Sequence, residues 1–374
     1  MLIPIYNVEK YLHQCLDSIV NQTLHEIQII CLNDGSTDDS PKIINEYANR
    51  DPRIKVINKK NSGYGDSMNR GLAAARGEYI GIVESDDFIE LDAFEKLYNL
   101  AKEYDADVVR GNYYHFKDGK NKKYKYINIG DTHKLVDPAK TPWIFYQAPA
   151  IWSAIYKLDF IKENNISFLP TPGASYQDTG FNFKVWASTQ KAVFTEATFL
   201  HYRLDNESSS VNNPGKVFNV CNEYAEIEKY LKKNNLYERF KKILQATKFG
   251  AYYWNIYRLS PKLRGDFVDK IRVEFISARN DGLLDQSFFP DKKQWKVLNY
   301  IINNDTQDAI RYINRAEQLT RFSSGTKRRL KNLLTTVNPL YRKQLEINKL
   351  INELYDENAE LKSKLDALEH KIEK

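Results

Sequence analysis

Between Leu2 and about Val109 the apolar positions switch repeatedly between two periods. Leu2-Ile3-Pro4-Ile5-Tyr6 reads as a short strand, and Leu12, Cys15, Leu16 and Ile19 then recur at helical spacing. Ile27-Gln28-Ile29-Ile30-Cys31-Leu32 is nearly continuous in apolar residues, the pattern of a strand buried on both faces. Ser40-Pro41-Lys42-Ile43 predicts a capped helix start with proline at the first helical position. Ile54-Lys55-Val56-Ile57 follows as a strand, Ser67 to Arg76 as a helix, and Tyr79-Ile80-Gly81-Ile82-Val83 as a strand. A helix from Asp92 to Glu103 leads to Asp107-Val108-Val109. Repeated strand–helix–strand units predict an α/β fold: a mostly parallel, Rossmann-like sheet with helices on both faces.

Beyond that point the pattern changes twice. Residues 110 to about 215 are irregular and rich in aromatics and prolines, an elaboration built onto the sheet. Residues 216–338 are almost entirely helical in pattern, punctuated at Ser260-Pro261 and Phe289-Pro290. Within 318–344 stand seven basic side chains and no acidic one, beside Leu330, Leu333, Leu334 and Val337 at helical spacing. Such a helix suits an anionic membrane surface as well as it suits a solvated face. In 340–374, Ile347, Leu354, Leu361 and Leu368 share one heptad position, and Ile351, Asn358, Leu365 and Ile372 the other. Leucine at one seam with a single Asn in the other predicts a parallel two-stranded coiled coil, hence a homodimer. Glu357 would then face Lys362 of the partner helix, and Lys364 would face Glu369.

Composition narrows the class. The chain has 374 residues, 42% hydrophobic and 28% charged, which is a globular balance too long for one ordinary domain. A net charge of +6 is too dilute to indicate nucleic acid, and none is expected as a partner. No apolar run approaches a membrane-spanning length, and the N-terminus shows no signal segment. Three scattered cysteines fit a reducing compartment, so a cytoplasmic location is expected, at the inner membrane face if the basic helix binds there.

In an open parallel sheet, ligands bind beyond the carboxyl ends of the strands. Those ends here are Pro4-Ile5-Tyr6-Asn7, Asn33-Asp34-Gly35-Ser36-Thr37-Asp38 and Glu84-Ser85-Asp86-Asp87. Two short acidic turns suit a divalent cation that bridges carboxylate to diphosphate, because Mg2+ and Mn2+ take hard oxygen ligands from both sides. The alternative is that Asp34 and Asp86 cap the helices that follow them. No G-x-x-x-x-G-K-[ST], H-E-x-x-H or G-x-S-x-G motif occurs. Gly63-Tyr64-Gly65 begins like a dinucleotide fingerprint but meets Met68 where the third glycine belongs.

Those three strand-end segments, with Val8-Glu9-Lys10-Tyr11-Leu12 after the first, resemble the consecutive signatures of family-2 inverting glycosyltransferases of the GT-A fold. The likeness is strongest to bacterial enzymes of capsule, lipopolysaccharide or teichoic-acid assembly, and covers about residues 1 to 215. It implies that Pro4, Tyr6, Asn7 and Asp34 line the base and ribose pocket, with Asp34 accepting from the uracil imide of a UDP-sugar. It implies that Asn69 faces the donor, as do Glu84 (where the family more often has Asp) and Ser85. Asp86 would hold Mn2+ or Mg2+ with support from Asp87. His201 in Leu200-His201-Tyr202-Arg203 would be a further metal ligand, and Arg203 a phosphate contact. A lone His between aromatics is otherwise structural. Trp152 falls in a segment near the acceptor site, though a core position is equally open to it.

Asp178, in Ala174-Ser175-Tyr176-Gln177-Asp178, matches the family's base, with Gln177 where a Glu is usual. Such a carboxylate takes the acceptor hydroxyl's proton during in-line attack on the anomeric carbon. A helix-start Asp set against the dipole would have the same sequence signature. Replacing the neighbouring carboxylate by Gln177 removes a like charge and should ease ionisation of Asp178. The expected reaction is hexosyl or N-acetylhexosaminyl transfer from a nucleotide-sugar to a hydroxyl of a surface glycan or its lipid-linked precursor. The family's first strand has a few more residues, so the natural chain is expected to begin upstream of Met1. A nucleotidyltransferase would want a glycine-rich, arginine-containing loop after the first strand, and Tyr6-Asn7-Val8-Glu9 is not one. A non-catalytic coiled-coil scaffold would dimerise without turnover.

Overall fold

The computed structural model describes residues 1–124, 132–206, 218–259 and 261–315. The basic segment at 318–344 and the heptads at 340–374 lie outside the described residues. Met1–Thr306 form one compact unit, so the sheet and the helices up to residue 303 share a body. Gln307–Lys374 form a second unit, of which 307–315 are described and are helical.

The chain begins β1 (Leu2–Ile5), α1 (Glu9–Val20), β2 (Ile29–Asn33), α2 (Ser40–Ala48), β3 (Ile54–Asn58) and α3 (Tyr64–Ala74). It continues through β4 (Tyr79–Gly81), β5 (Phe88–Ile89), α4 (Ala93–Tyr104), β6 (Val108–Lys117), β7 (Lys120–Tyr124) and β8 (Leu135–Val136). Three short 3-10 turns precede β9 (Ala154–Lys157), α5 (Leu158–Glu163), α6 (Gln177–Ser188) and β10 (Ala192–Arg203). Four helices follow: α7 (Asn219–Lys233), α8 (Tyr237–Ile256), α9 (Pro261–Asn280) and α10 (Lys292–Asn303).

Strands β1, β2 and β3 pair in parallel, and every residue of β1 and β2 is buried, as their unbroken apolar runs require. A parallel bridge from Leu2 to Ile82 carries the sheet to the end of β4. From there the order is β4-β9-β6-β10-β5, with β9 antiparallel to both its neighbours and β6 parallel to β10. The register of β10 on β6 shifts between Phe194 and Leu200. Gly111 faces that irregularity, where a Cβ would stand 2.5 Å from the Phe199 ring. In α1 the buried face includes Leu12, Cys15, Leu16 and Ile19, the residues whose spacing predicts it.

The start of α2 differs from the sequence expectation. Ser40 lies within the first turn rather than capping it, and its Oγ accepts from the Val8 amide at 3.1 Å. Asp38 does the capping for two helices: Oδ1 accepts from the Ser40 amide and Oδ2 from the Glu9 amide, each at 3.0 Å. Glu9 returns the contact by accepting from the Asp39 amide at 2.7 Å. The loops after β1 and β2 are thereby locked together by charge-assisted bonds to orphan helix amides.

Beneath the carboxyl side of the sheet, Arg110 on β6 is fully buried. Its guanidinium donates to Ser153 Oγ, Asn182 Oδ1 and the Ala148 carbonyl, all at 3.1 Å. It so fixes the 148–153 loop against α6. Helix α7 packs on α6, where Glu223 faces Gly180; a Cβ at that glycine would stand 2.1 Å from Glu223 Oε2. Both Glu223 carboxylate oxygens are buried without a hydrogen-bond partner. Burial pushes the Glu223 carboxyl up to about 8, with Lys184 opposing and Asp178 reinforcing. No helix among the described residues is long and apolar enough to cross a membrane.

Two predictions follow from packing. At Gly65 an added Cβ would meet the Leu169 carbonyl oxygen at 2.1 Å, whereas at Gly265 in α9 it meets nothing within 4 Å. Gly65→Ala should therefore lower stability by about 1–3 kcal/mol through overpacking, and Gly265→Ala should leave it unchanged or raise it by up to about 1 kcal/mol, both read by urea unfolding. For Glu223, the unfolded carboxyl releases its proton near 4.5 while the folded one keeps it to about 8. Folded stability attributable to this group thus falls as pH rises across that window. Glu223→Gln should match wild type in Tm near pH 4.5 and exceed it by a few degrees at pH 8. A Tm difference that does not change with pH would contradict the assignment.

Candidate active site

Asp34 ends β2 almost fully buried. Its carboxylate does not cap the helix that follows it. Oδ1 accepts from the Ser62 amide at 2.9 Å and from the Lys59 ammonium, and Oδ2 accepts from the Gly63 amide at 3.0 Å. Asp34 thus holds the turn that leads into α3, across the sheet edge, and lines the cleft.

Gly63 and Gly65 have a structural explanation distinct from a nucleotide fingerprint. Gly63 adopts φ +98°, and a Cβ there would lie 2.6 Å from the Thr171 carbonyl oxygen. The 169–173 backbone therefore runs directly against the start of α3. Asn69 holds the same segment: its Nδ2 donates to the Phe168 carbonyl at 2.8 Å and its Oδ1 accepts from the Phe168 amide at 2.9 Å. With both ends of its amide committed, Asn69 braces this segment, and it is not among the residues lining the cleft.

The acidic turn after β4 splits by direction. Glu84, Ser85 and Asp86 line the cleft. Tyr64 donates to Glu84 Oε1 at 2.7 Å. Burial, with the Asp86 and Asp178 charges, holds the Glu84 carboxyl up at about 8. Asp86 Oδ2 accepts from Asn206 Nδ2 at 2.8 Å. Asp87 points behind the turn, where Oδ1 accepts from the Arg203 amide at 2.8 Å and Oδ2 is buried without a partner. Burial, then the adjacent Asp86 charge, raises the Asp87 carboxyl well above its ordinary range.

Strand β10 explains why three adjacent residues differ. Side chains alternate across a sheet, so Tyr202 faces the cleft while His201 and Arg203 face away. His201 stacks between Phe88 and Tyr114 at 4.2 and 4.9 Å. Its Nδ1 lies 2.8 Å from Asn121 Oδ1 and its Nε2 3.0 Å from Glu90 Oε1. Both ring nitrogens are thus engaged by Asn121 and Glu90. Arg203 does not reach the cleft: Nε donates to the Asp86 carbonyl at 2.7 Å and Nη2 to Gln14 Oε1 at 2.7 Å. The guanidinium clamps the acidic turn from behind, over the rings of Tyr11 and Phe116. Asn7 likewise braces rather than lines: at φ +53° its Oδ1 accepts from the Thr37 amide at 2.8 Å.

Asp178 opens the first turn of α6 and lines the cleft. It accepts from the Thr179 amide at 2.8 Å, yet burial outweighs that bond and lifts the carboxyl to about 6. The eased ionisation expected from losing a neighbouring carboxylate is thus overridden by desolvation. Gln177 uses its amide in a way Glu could not, donating from Nε2 to Thr171 Oγ1 at 2.8 Å and to the Gly173 carbonyl at 3.2 Å. This fixes the loop that leads into Asp178.

Pro4, Tyr6, Asp34, Glu84, Ser85, Asp86, Trp152 and Asp178 all line one cleft of about 1400 Å³. Trp152 stacks on Tyr202 at 5.1 Å with the rings 7° from parallel. The sequence reading missed the opposite wall, formed by Tyr176 and by Trp254, Asn255 and Arg258 at the end of α8. Tyr176 donates to Asn255 Oδ1 at 2.9 Å. The excess of tyrosine, 25 in the chain, was the signal for an aromatic site but did not say which ones.

A metal would find hard oxygens here. The cleft-facing carboxylate of Asp86 fits a divalent cation that shares its shell with a diphosphate and water, and the partnerless Oδ2 of Asp87 lies buried behind it. Among the described residues no three His, Cys, Asp or Glu side chains come together as a complete protein-made site.

The family profile described as Glycosyl transferase family 2 matches residues 1–185. The chain is 34% identical over 220 residues to glycosyltransferase GlyA of Streptococcus pneumoniae serotype 4, covering 56% of this chain and 31% of GlyA. It is 31% identical over 211 residues to glycosyltransferase GlyG of the same organism, covering 54% of this chain and 69% of GlyG. The chain thus spans about a third of GlyA and over two thirds of GlyG. Among solved structures, Staphylococcus aureus TarS 1-349 in complex with UDP-GlcNAc superposes with a TM-score of 0.67 at 20% identity, over 85% of this chain and 90% of that one. That likeness establishes the GT-A fold. With its strand-end acidic turns and its α6 carboxylate gathered on one cleft, the chain belongs to glycosyltransferase family 2.

Proposed function

We propose that this chain is an inverting glycosyltransferase that moves a sugar from a UDP-sugar to a hydroxyl of a bacterial surface glycan or its lipid-linked precursor. The observation that carries the reading is one cleft lined by Tyr6, Asp34 and Asp86 at strand ends and by Asp178 on α6. Tyr6 is half exposed and offers a face to the base, and the cleft-lining carboxylate of Asp34 suits an imide donor. TarS, the neighbour solved with UDP-GlcNAc, has the same fold, which is consistent with such a donor.

Asp178 is the general base in this reading. Its carboxylate takes the proton of the acceptor hydroxyl as that oxygen bonds to the anomeric carbon. The bond to the diphosphate breaks on the opposite face, so the configuration inverts and the nucleoside diphosphate leaves. A carboxyl at about 6 is mostly ionised at pH 7 yet basic enough to accept the proton. Asp86 would hold Mn2+ or Mg2+ with Asp87 behind it, and the cation supplies charge neutralisation on the leaving diphosphate. Trp152 and Tyr202 offer a stacked aromatic platform to a sugar. The heptads at 340–374 support a homodimer and the basic stretch at 318–344 a peripheral membrane contact, with the enzyme at the cytoplasmic face.

The test is nucleoside-diphosphate release from a panel of nucleotide-sugars with Mn2+ or Mg2+, with and without acceptor glycans. UDP release that chelation abolishes is expected. Asp178→Asn should lower kcat about 10²–10⁴-fold while UDP binding holds. The base must be ionised, so wild-type kcat/KM should climb with pH, reach half its plateau near pH 6 and stay level above it. Near-normal turnover by Asp178→Asn would remove Asp178 from the mechanism.

A further inference from the structure

The described charged residues lining the cleft are four carboxylates, Asp34, Glu84, Asp86 and Asp178, and a single cation, Arg258. Arg258 stands just past α8, on the helical wall rather than on the sheet. Its Nη1 donates to the Tyr176 hydroxyl at 2.9 Å, and its guanidinium carbon lies 4.3 Å from the Trp254 ring centroid. Trp254 itself is 50% exposed. Among the described residues no carboxylate forms an ion pair with Arg258. A guanidinium has five N–H donors, and one of them is bonded to a described side chain.

Bracing of Tyr176 alone is a poor account of this residue. A neutral amide or hydroxyl would hold a phenol without the cost of placing an unpaired cation in a half-buried wall. The position also matters. Tyr176 precedes the base by two residues and holds a left-handed φ of +62°, so Arg258 is tied through one hydroxyl to the backbone that aims Asp178. The acidic strand ends around the same cleft would repel an anionic acceptor, and a cation on the helical wall offsets that repulsion.

We propose that Arg258, Trp254 and Tyr176 form an acceptor subsite for an oxyanion carried by the acceptor glycan, with an adjoining sugar ring seated on Trp254. This deepens the glycosyltransferase reading and rests on it. A phosphodiester and a uronate carboxylate present the same forked oxyanion to the guanidinium.

The test is calorimetric titration of the full-length protein, holding UDP and Mn2+, with three probes. These are a polyol-phosphate oligomer, a uronate-containing oligosaccharide and the carboxyl-reduced neutral form of that oligosaccharide. At least one anionic probe should bind about ten-fold or more tightly than the neutral one and weaken as salt rises. Which anionic probe wins identifies the source of the oxyanion. Arg258→Gln should abolish the preference and Arg258→Lys keep part of it, with UDP affinity unchanged in both. The salt dependence in wild type serves as the readout if a variant does not fold. Equal binding of neutral and anionic probes, no binding of any probe, or retained preference in a folded Arg258→Gln protein overturns the proposal. So does a loss of UDP affinity in Arg258→Gln, which would move the residue to the donor. Failure of wild type to bind UDP at all strikes the glycosyltransferase reading instead, and the oligomer comparison is then read without UDP.

Discussion

The contact on which the site depends is the approach of the 169–173 backbone to the first turn of α3. Gly63 and Gly65 permit it, because a Cβ at either would fall within 2.6 Å of a carbonyl oxygen. Asp34 fastens the other side of the same turn through the Ser62 and Gly63 amides. One short stretch of chain therefore joins the end of β2, where Asp34 lines the cleft, to the loop that ends in Gln177 and Asp178. Asn69 and Gln177 extend the joint with amide bonds to that loop. Because these bonds run to backbone, the spacing between Asp34 and Asp178 across the cleft is set by main-chain geometry rather than by flexible side chains.

The electrostatics follow from this crowding. Glu84, Asp86, Asp87 and Asp178 are drawn together by the topology, and desolvation with mutual repulsion raises several of their carboxyls. With the Glu84 and Asp87 carboxyls held up by burial and by the neighbouring Asp86 charge, a cation brought to this turn would favour their ionised forms. Arg203 relieves part of the strain from behind the turn through its backbone amide and guanidinium, without itself entering the cleft. Its burial among Tyr11, Phe88 and Phe116 makes it a fixed charge.

The sequence made the β1–β3 half of the fold legible, because parallel strands buried on both faces leave unbroken apolar runs. The strand ends were legible too, since short acidic turns after buried strands point to ligands at the sheet edge. Roles within a turn were less so. Asp34, Asp86 and Asp87 have the same chemistry in sequence, and only three-dimensional direction separates a cleft-lining acid from one behind the turn. His201 and Arg203, expected at the cleft, stand on the other face of β10 from Tyr202, because in a strand a one-residue offset reverses the face. The helical wall was invisible because Trp254, Asn255 and Arg258 lie some 75 residues and more beyond the base, and no local pattern marks a helix end that folds back onto a distant sheet.

That wall changes what the helical region means. Compositional boundaries place it apart from the sheet, yet Met1–Thr306 pack as one unit and α8 supplies part of the cleft. The sheet half brings carboxylates and the helical half brings the cleft's one described cation. A net charge of +6 averages over both and predicts neither. A cleft that is acidic at the strand ends and cationic at the helical wall has polarity along its length, so in the proposed reading a cation-bound diphosphate and an anionic acceptor would seat at opposite ends. In that reading specificity would begin with charge placement and be refined by the aromatic faces of Trp152, Tyr202 and Trp254 that line the cleft.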